Sequence, residues 1–313
     1  MINMSNRQRL TEAAILSSVG VIISILVMYV PFLSLFALFT SIPYIIISAR
    51  CGIKNSIMSI VISSLILLFT TNPVYALTSF LLFFIPAVFI GYNIYKNKSP
   101  IEAVSWGTFA FIITTMIYIK LSKGFFNIDI IEQTINMLNK TLNMQKEVIS
   151  HFNSLEKNSI EIETIIEYVS TMIPSMLIVI PSIITSFINY FMSLFILKRI
   201  KGYKEDLPKF KDFALPGNII LGVILIYLLS MVLKNISWIY YNTIIINTEI
   251  VFSIIFLIQG ICVYSYFLDK IKIRQGIKNI ILVVSILTGP LLFMMSIIGV
   301  VDSIVDFRRI RGN

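Results

Sequence analysis

Stretches long and apolar enough to cross a bilayer recur nine times along this chain, at about 12–30, 32–49, 55–70, 74–95, 102–120, 170–197, 217–234, 244–268 and 278–304. About 20 apolar residues span a hydrocarbon core. Lipid offers no hydrogen-bond partner to a peptide group, so each crossing segment must satisfy its own backbone, and a helix does so. The pattern therefore predicts an all-α fold, a polytopic transmembrane helical bundle. Composition agrees. Hydrophobic residues make up 57% of the chain and charged residues 13%, against roughly 25% charged in an ordinary soluble domain. Mean hydropathy is +0.89.

Turn chemistry marks the breaks between spans. Pro31 follows the first span, Gly52 separates the second and third, and Asn72-Pro73 separates the third and fourth. Pro100 opens the fifth and Pro216-Gly217 the seventh. These residues stop or start helices because proline lacks an N–H and glycine tolerates unusual backbone angles.

The net charge of +9 does not point to nucleic acid. The basic residues are dispersed in short loops, which is the positive-inside pattern of a membrane protein. With the N-terminus inside, sixteen of the Lys and Arg residues before the last span fall in inside segments and six outside. The expected topology is thus multi-pass, with a cytoplasmic N-terminus. Arg7 and Arg9 precede an apolar run as in a signal peptide, but no small-residue cleavage site follows, so a retained first helix is expected.

Two features depart from simple alternation. Arg308, Arg309 and Arg311 follow the last span, where alternation would put them outside. Gly289-Pro290 interrupts that span, and proline removes a helix hydrogen bond there. One solution is a kinked span with an external tail; the favoured one is a tight hairpin with the tail inside. The second feature is the stretch 122–169, acidic on balance, in which Ile128, Ile131, Ile135, Leu138, Leu142, Ile149 and Phe152 recur at alternating steps of three and four, missing only at Gln145. That stripe predicts an extracytoplasmic amphipathic helical insert. The chain then divides into residues 1–121, the insert 122–169, a sixth span at 170–198 completing the N-terminal unit, and C-terminal membrane helices with basic loops at 199–313.

Catalytic patterns are absent from the sequence: GxxxxGK[ST], GxSxG and HExxH do not occur. Cys51, Cys262 and the single His151 form no ligand cluster, so no catalytic residue, metal site or cofactor is expected. Polar residues inside spans are the better pointers, because each is costly in lipid. They are Asn189 in the sixth span, Glu249 and Gln259 in the eighth, and Asp302, with Asp306 and Arg308, at the end of the ninth. For Asn189 and Gln259 the simpler role is hydrogen bonding between helices. For Glu249 it is an interfacial carboxylate. Ala13, Ser17, Gly20 and Ser24 line one face of the first helix, with Ala14 and Ser18 beside them. Small residues let backbones approach closely. That face either packs internally or docks another membrane subunit through Ala13, Ala14, Ser17 and Gly20.

The runs TEAAILSSVGVIISILVMYVP and LFALFTSIPYIIISARCGIKNSIMSIVISSLILLF resemble the opening of the S-components of energy-coupling-factor transporters. Ala13, Ala14, Ser17 and Ser18 match their small-residue first helix, and Pro43, Gly52 and Lys54 match the turn before their third. Over most of its length the chain resembles the YybS-like family of Gram-positive membrane proteins, through FKDFALPGNI, FLIQGICVYSYFL and IIGVVDSIVDFRR. Pro216, Gln259, Gly260, Gly299, Asp302, Asp306 and Arg308 carry that resemblance. It implies an integral protein of a bacterial plasma membrane, related to S-components. Such a protein would bind a small molecule for uptake, with a membrane coupling subunit and ATPases as partners. The insert and the helices after residue 198 depart from a compact S-component. A non-transport scaffold presenting its loops to protein partners is the alternative, and a membrane-embedded enzyme the weakest reading.

Overall fold

A computed structural model describes residues 5–152, 171–200, 207–234, 241–271 and 274–310. Helices dominate these residues, and no strand occurs among them. In chain order they are α1 (Asn6–Tyr29), α2 (Pro31–Cys51), α3 (Ile53–Thr70), α4 (Pro73–Tyr95), α5 (Pro100–Phe126), α6 (Ile130–Phe152) and α7 (Thr171–Leu197). After them come α8 (Ile219–Leu233), α9 (Tyr241–Lys270), α10 (Gln275–Leu287) and α11 (Gly289–Val305). Seven of the helices, α1–α5, α7 and α9, are long and apolar enough to cross a membrane.

Local chemistry sets the ends. Ser5 and Gln8 form a capping box, so α1 starts well before its apolar run. Asn72 and Ser99 cap α4 and α5, each followed by proline at the first helical position. Inside α4 and α7 a wide π turn, Ser79–Phe84 and Ser175–Val179, comes just before Pro86 and Pro181. A proline cannot donate to the preceding turn and its ring crowds that turn's carbonyl. The widened turn takes up both defects without ending the helix.

The first five helices and α7 pack around α2, where Tyr44, Ile45 and Ile47 are fully buried. Arg50 at the end of α2 is ion-paired with Glu12 near the start of α1. Tyr92 and Tyr95 at the end of α4 border the same recess as Arg9 and Cys51. Phe187 and Phe191 of α7 stack on Phe210 and Phe213, beside Ile101 at the start of α5. These ends together make a basic face. At the opposite face Tyr29 donates to the Thr70 carbonyl at 3.0 Å and Tyr75 to the Ser24 carbonyl at 2.6 Å.

The C-terminal helices have a less regular arrangement. Ser296 of α11 donates to the Ser253 carbonyl of α9, and Gln259 of α9 to Asp302 of α11. A constant register of this kind means that α9 and α11 run parallel. Consecutive parallel helices need a return segment, which is α10, and the chain bends by 102° between α10 and α11. Lys278 in the first turns of α10 pairs with Asp269 at 2.5 Å, and Asp269 also pairs with Lys211 at 3.0 Å. Arg308, just beyond α11, donates to the Lys211 carbonyl. Both ends of the last apolar run therefore meet at Lys211 on the basic face. The run has the form of a re-entrant hairpin, broken at Thr288, one residue before the expected Gly289-Pro290.

Two expected boundaries move. Helix α5 continues to Phe126 and stops at Asn127, which adopts φ 55, so the insert starts later than residue 122. From Ile131 onward its stripe lies on the helix Ile130–Phe152, capped by Asp129, while Ile128 precedes it and 153–169 falls outside the described residues. Lys123, hydrogen-bonded to Asp129, holds that carboxyl below its ordinary range. The seventh expected span is short. The apolar helix Ile219–Val232 is only about 21 Å long at 1.5 Å per residue, less than a hydrocarbon core.

Candidate functional site

Two groups of polar side chains lie inside the membrane-spanning helices, and they are built on opposite principles. The first belongs to α7, which packs against α2, α4 and α5. Ser186, Asn189 and Ser193 fall at steps of three and four, so they share one face of that helix. All three are fully buried. The amide oxygen and nitrogen of Asn189, and both serine hydroxyls, have no hydrogen-bond partner among the protein atoms. Ser186 sits against Gly107 of α5, where an added Cβ would lie 3.2 Å from its hydroxyl. An unpaired carboxamide in an apolar interior costs on the order of 1–3 kcal/mol. Such groups persist where something polar other than the protein completes them.

The second group is linked into one network, in which Arg308 Nε is buried without a hydrogen-bond partner. Arg308 donates to the carbonyls of Lys211 and Phe213, at 2.5 and 2.8 Å, and to Asp302 Oδ2 at 3.0 Å. Gln259 Nε2 donates to the same Asp302 oxygen at 2.5 Å, and Gln259 Oε1 accepts from the Leu215 N–H at 3.1 Å. The side chains of Asp302 and Arg308 are fully buried. A planar guanidinium with five donors suits this task, because it can hold a carboxylate and two carbonyls at once. The result is a clasp that fixes the 211–215 segment to α9 and α11. The clasp depends on glycine: Gly260 faces the Met295 carbonyl and Gly299 the Phe256 carbonyl, both closer than a Cβ allows. The two backbones thus approach closely enough for Gln259 to reach Asp302.

The family described as a predicted membrane protein, DUF2232, matches residues 18–303. The chain belongs to the DUF2232 family. It is also 23% identical over 303 residues to "Uncharacterized protein YybS" of Bacillus subtilis (strain 168), covering 96% of this chain and 97% of that protein. No solved structure matches it.

In this DUF2232 chain the other sequence candidates do not converge. Glu249 is exposed on α9. Asp306 ends α11 with φ 50 and accepts from the Ile310 N–H, a helix-stop role. The small-residue stripe of α1 turns mostly inward: Ala13, Gly20 and Ser24 are buried and Ser17 is half-buried, while Ala14 and Ser18 beside it are exposed. A Cβ on Gly20 would sit 2.8 Å from the Tyr44 ring. Ala13 and Gly20 are therefore internal packing positions, the first of the two alternatives for this face, and not docking positions. Some DUF2232 contacts have no sequence signal of their own. Asn247 of α9 donates to the Thr171 carbonyl at 2.7 Å and accepts from the Ser175 N–H at 3.0 Å, binding the start of α7 to α9. Its position among apolar residues was the one available hint. Among the described residues no group of His, Cys, Asp and Glu has the proximity to hold a metal ion.

Proposed function

We propose that this protein is the solute-binding membrane subunit of an uptake system. In this reading α1–α5 and α7 form an S-component-like unit that binds a small polar molecule. Energy comes from separate coupling and ATPase subunits, and the basic face is cytoplasmic by the positive-inside rule. The observation that carries the proposal is Asn189: fully buried on α7, with both amide atoms unpartnered and unpaired hydroxyls at Ser186 and Ser193 on the same helix face. A cluster of this kind offers a donor, an acceptor and adaptable hydroxyls to a ligand that apolar helices otherwise exclude. The similarity of the first 70 or so residues to S-components, including Pro43, Gly52 and Lys54, supports the same reading.

The test is purification in mild detergent, followed by mass spectrometry of released small molecules and of copurified proteins. The uptake reading expects a bound solute, or ATPase and coupling subunits, and loss of the solute in Asn189→Leu. A preparation holding neither, with a discrete set of cytoplasmic proteins instead, would replace it with the scaffold reading.

A further inference from the structure

At the basic face a recess of about 610 Å³ opens between the start of α1, the α2–α3 turn and the end of α4. Arg9, Lys54 and Lys96 line it, and no acidic residue does. The nearest carboxylate along α1, Glu12, is held by Arg50. Arg9 Nε is buried without a partner. The positive-inside rule accounts for cations being on this face. It does not account for their gathering around one cavity with a buried guanidinium N–H left open. The turn at Gly52, with φ 87, directs the first turn of α3 to the same recess, and Gly52 provides no side-chain cap for its amides. Free helix N-terminal amides favour anions. Tyr92 and Tyr95 add hydroxyls, and Lys96 rests over the Tyr92 ring.

We infer that this recess is a binding site for a phosphate group, carried either by an anionic lipid headgroup or by a soluble phosphorylated molecule. Several cations with backbone amides exceed what one carboxylate needs and suit a tetrahedral polyanion. The site is distinct from the Asn189 cluster, so it stands whether or not the uptake reading does.

The experiment compares the parent with Lys54→Gln/Lys96→Gln and with Lys270→Gln/Arg274→Gln. The second pair removes the same charge from the same face at exposed positions outside the recess. One arm measures phosphatidylglycerol retained against phosphatidylcholine after detergent purification. The other measures the thermal midpoint in phosphatidylcholine nanodiscs as inorganic pyrophosphate is added. Selective retention of phosphatidylglycerol identifies a headgroup site, and a saturable rise with pyrophosphate a soluble-phosphate site. In either case the Lys54/Lys96 variant should weaken the effect by about tenfold or more, as loss of charge-assisted hydrogen bonds implies, and the control pair should not. No response in either arm, or equal losses in both variants, overturns the inference. Lys54 and Lys96 are exposed, so the variant tests binding rather than folding.

Discussion

The six-helix N-terminal unit and the α9–α11 unit place polar side chains in an apolar interior in contrasting ways. In the first, Ser41, Ser56, Ser186, Asn189 and Ser193 are buried with side-chain atoms that have no protein partner. In the second, Gln259, Asp302 and Arg308 are joined to each other and to the backbone at 211–215. The linked network carries full charges, the open one only neutral groups. Physics explains the assignment: a buried charge without a partner is far more costly than a buried hydroxyl. The difference teaches where architecture ends and binding begins. A network linked by hydrogen bonds and an ion pair holds segments in place, and side chains joined to nothing leave capacity for something else.

Breaking the linked network should give the largest effect. Asp302→Ala leaves the Arg308 guanidinium buried with its counter-charge gone, and removal of one partner of a buried pair costs about 3–5 kcal/mol. The thermal midpoint in detergent should fall sharply, and the 211–215 segment should become open to protease. Replacing both partners together, Asp302→Leu with Arg308→Met, should recover much of the loss. If the double change is as damaging as the single one, the clasp acts through shape and not through charge.

Next in size is the backbone approach that makes the clasp reachable. Gly299→Ala and Gly260→Ala would each force α9 and α11 apart, an overpacking cost of about 1–3 kcal/mol. Gly222→Ala on α8, where nothing lies within 4 Å of the added Cβ, is the matched control and should be neutral or slightly stabilising. Equal effects at all three positions would mean that helix propensity, not close packing, decides the outcome.

The open network predicts an effect of the opposite sign. Asn189→Leu removes an unpaired carboxamide, so the ligand-free protein should melt higher, by a margin on the order of 1 kcal/mol. Stability gained at the expense of binding is the expected mark of a functional polar group. A lower midpoint would show that Asn189 is structural and would move the two units closer together in kind.

How much of this was readable from sequence follows from the range of the interactions. Pro31, Gly52, Asn72-Pro73 and Pro100 mark helix ends because each acts on its own turn of backbone, and each does so in the structure. Asn189, Gln259, Asp302 and Arg308 stood out singly, since a polar residue in an apolar run is conspicuous. Which of them meet could not be read, because Gln259 reaches Asp302 only through a parallel helix pair with glycines at the crossing. Contacts such as Glu12 with Arg50, or Lys211 with Asp269, join charges that look like ordinary loop residues in sequence. Hydropathy marks a span at 217–234 where the helix is Ile219–Leu233, because hydropathy reports composition and not helix length. Periodicity placed Ala13, Ser17 and Gly20 on one helix face but carried no information about what that face meets. Tyr44 of α2 supplies that answer.

The smallest effect is expected on the outer side of α1, and it separates internal packing from docking within one turn of helix. Ala13 is buried and Ala14 is exposed. Ala13→Leu should overpack the bundle and lower the thermal midpoint, by about 1–3 kcal/mol. Ala14→Leu adds the same side chain to an open surface, where changes stay within about 0.5 kcal/mol. Its midpoint in detergent should therefore match the parent. If a coupling subunit docks on this side of α1, Ala14→Leu should still reduce copurification of that subunit, because a bulky residue blocks close helix approach. Unchanged stability with lost copurification places the partner on the Ala14 side. Unchanged stability with unchanged copurification leaves α1 to internal packing and moves any subunit contact to another part of the bundle.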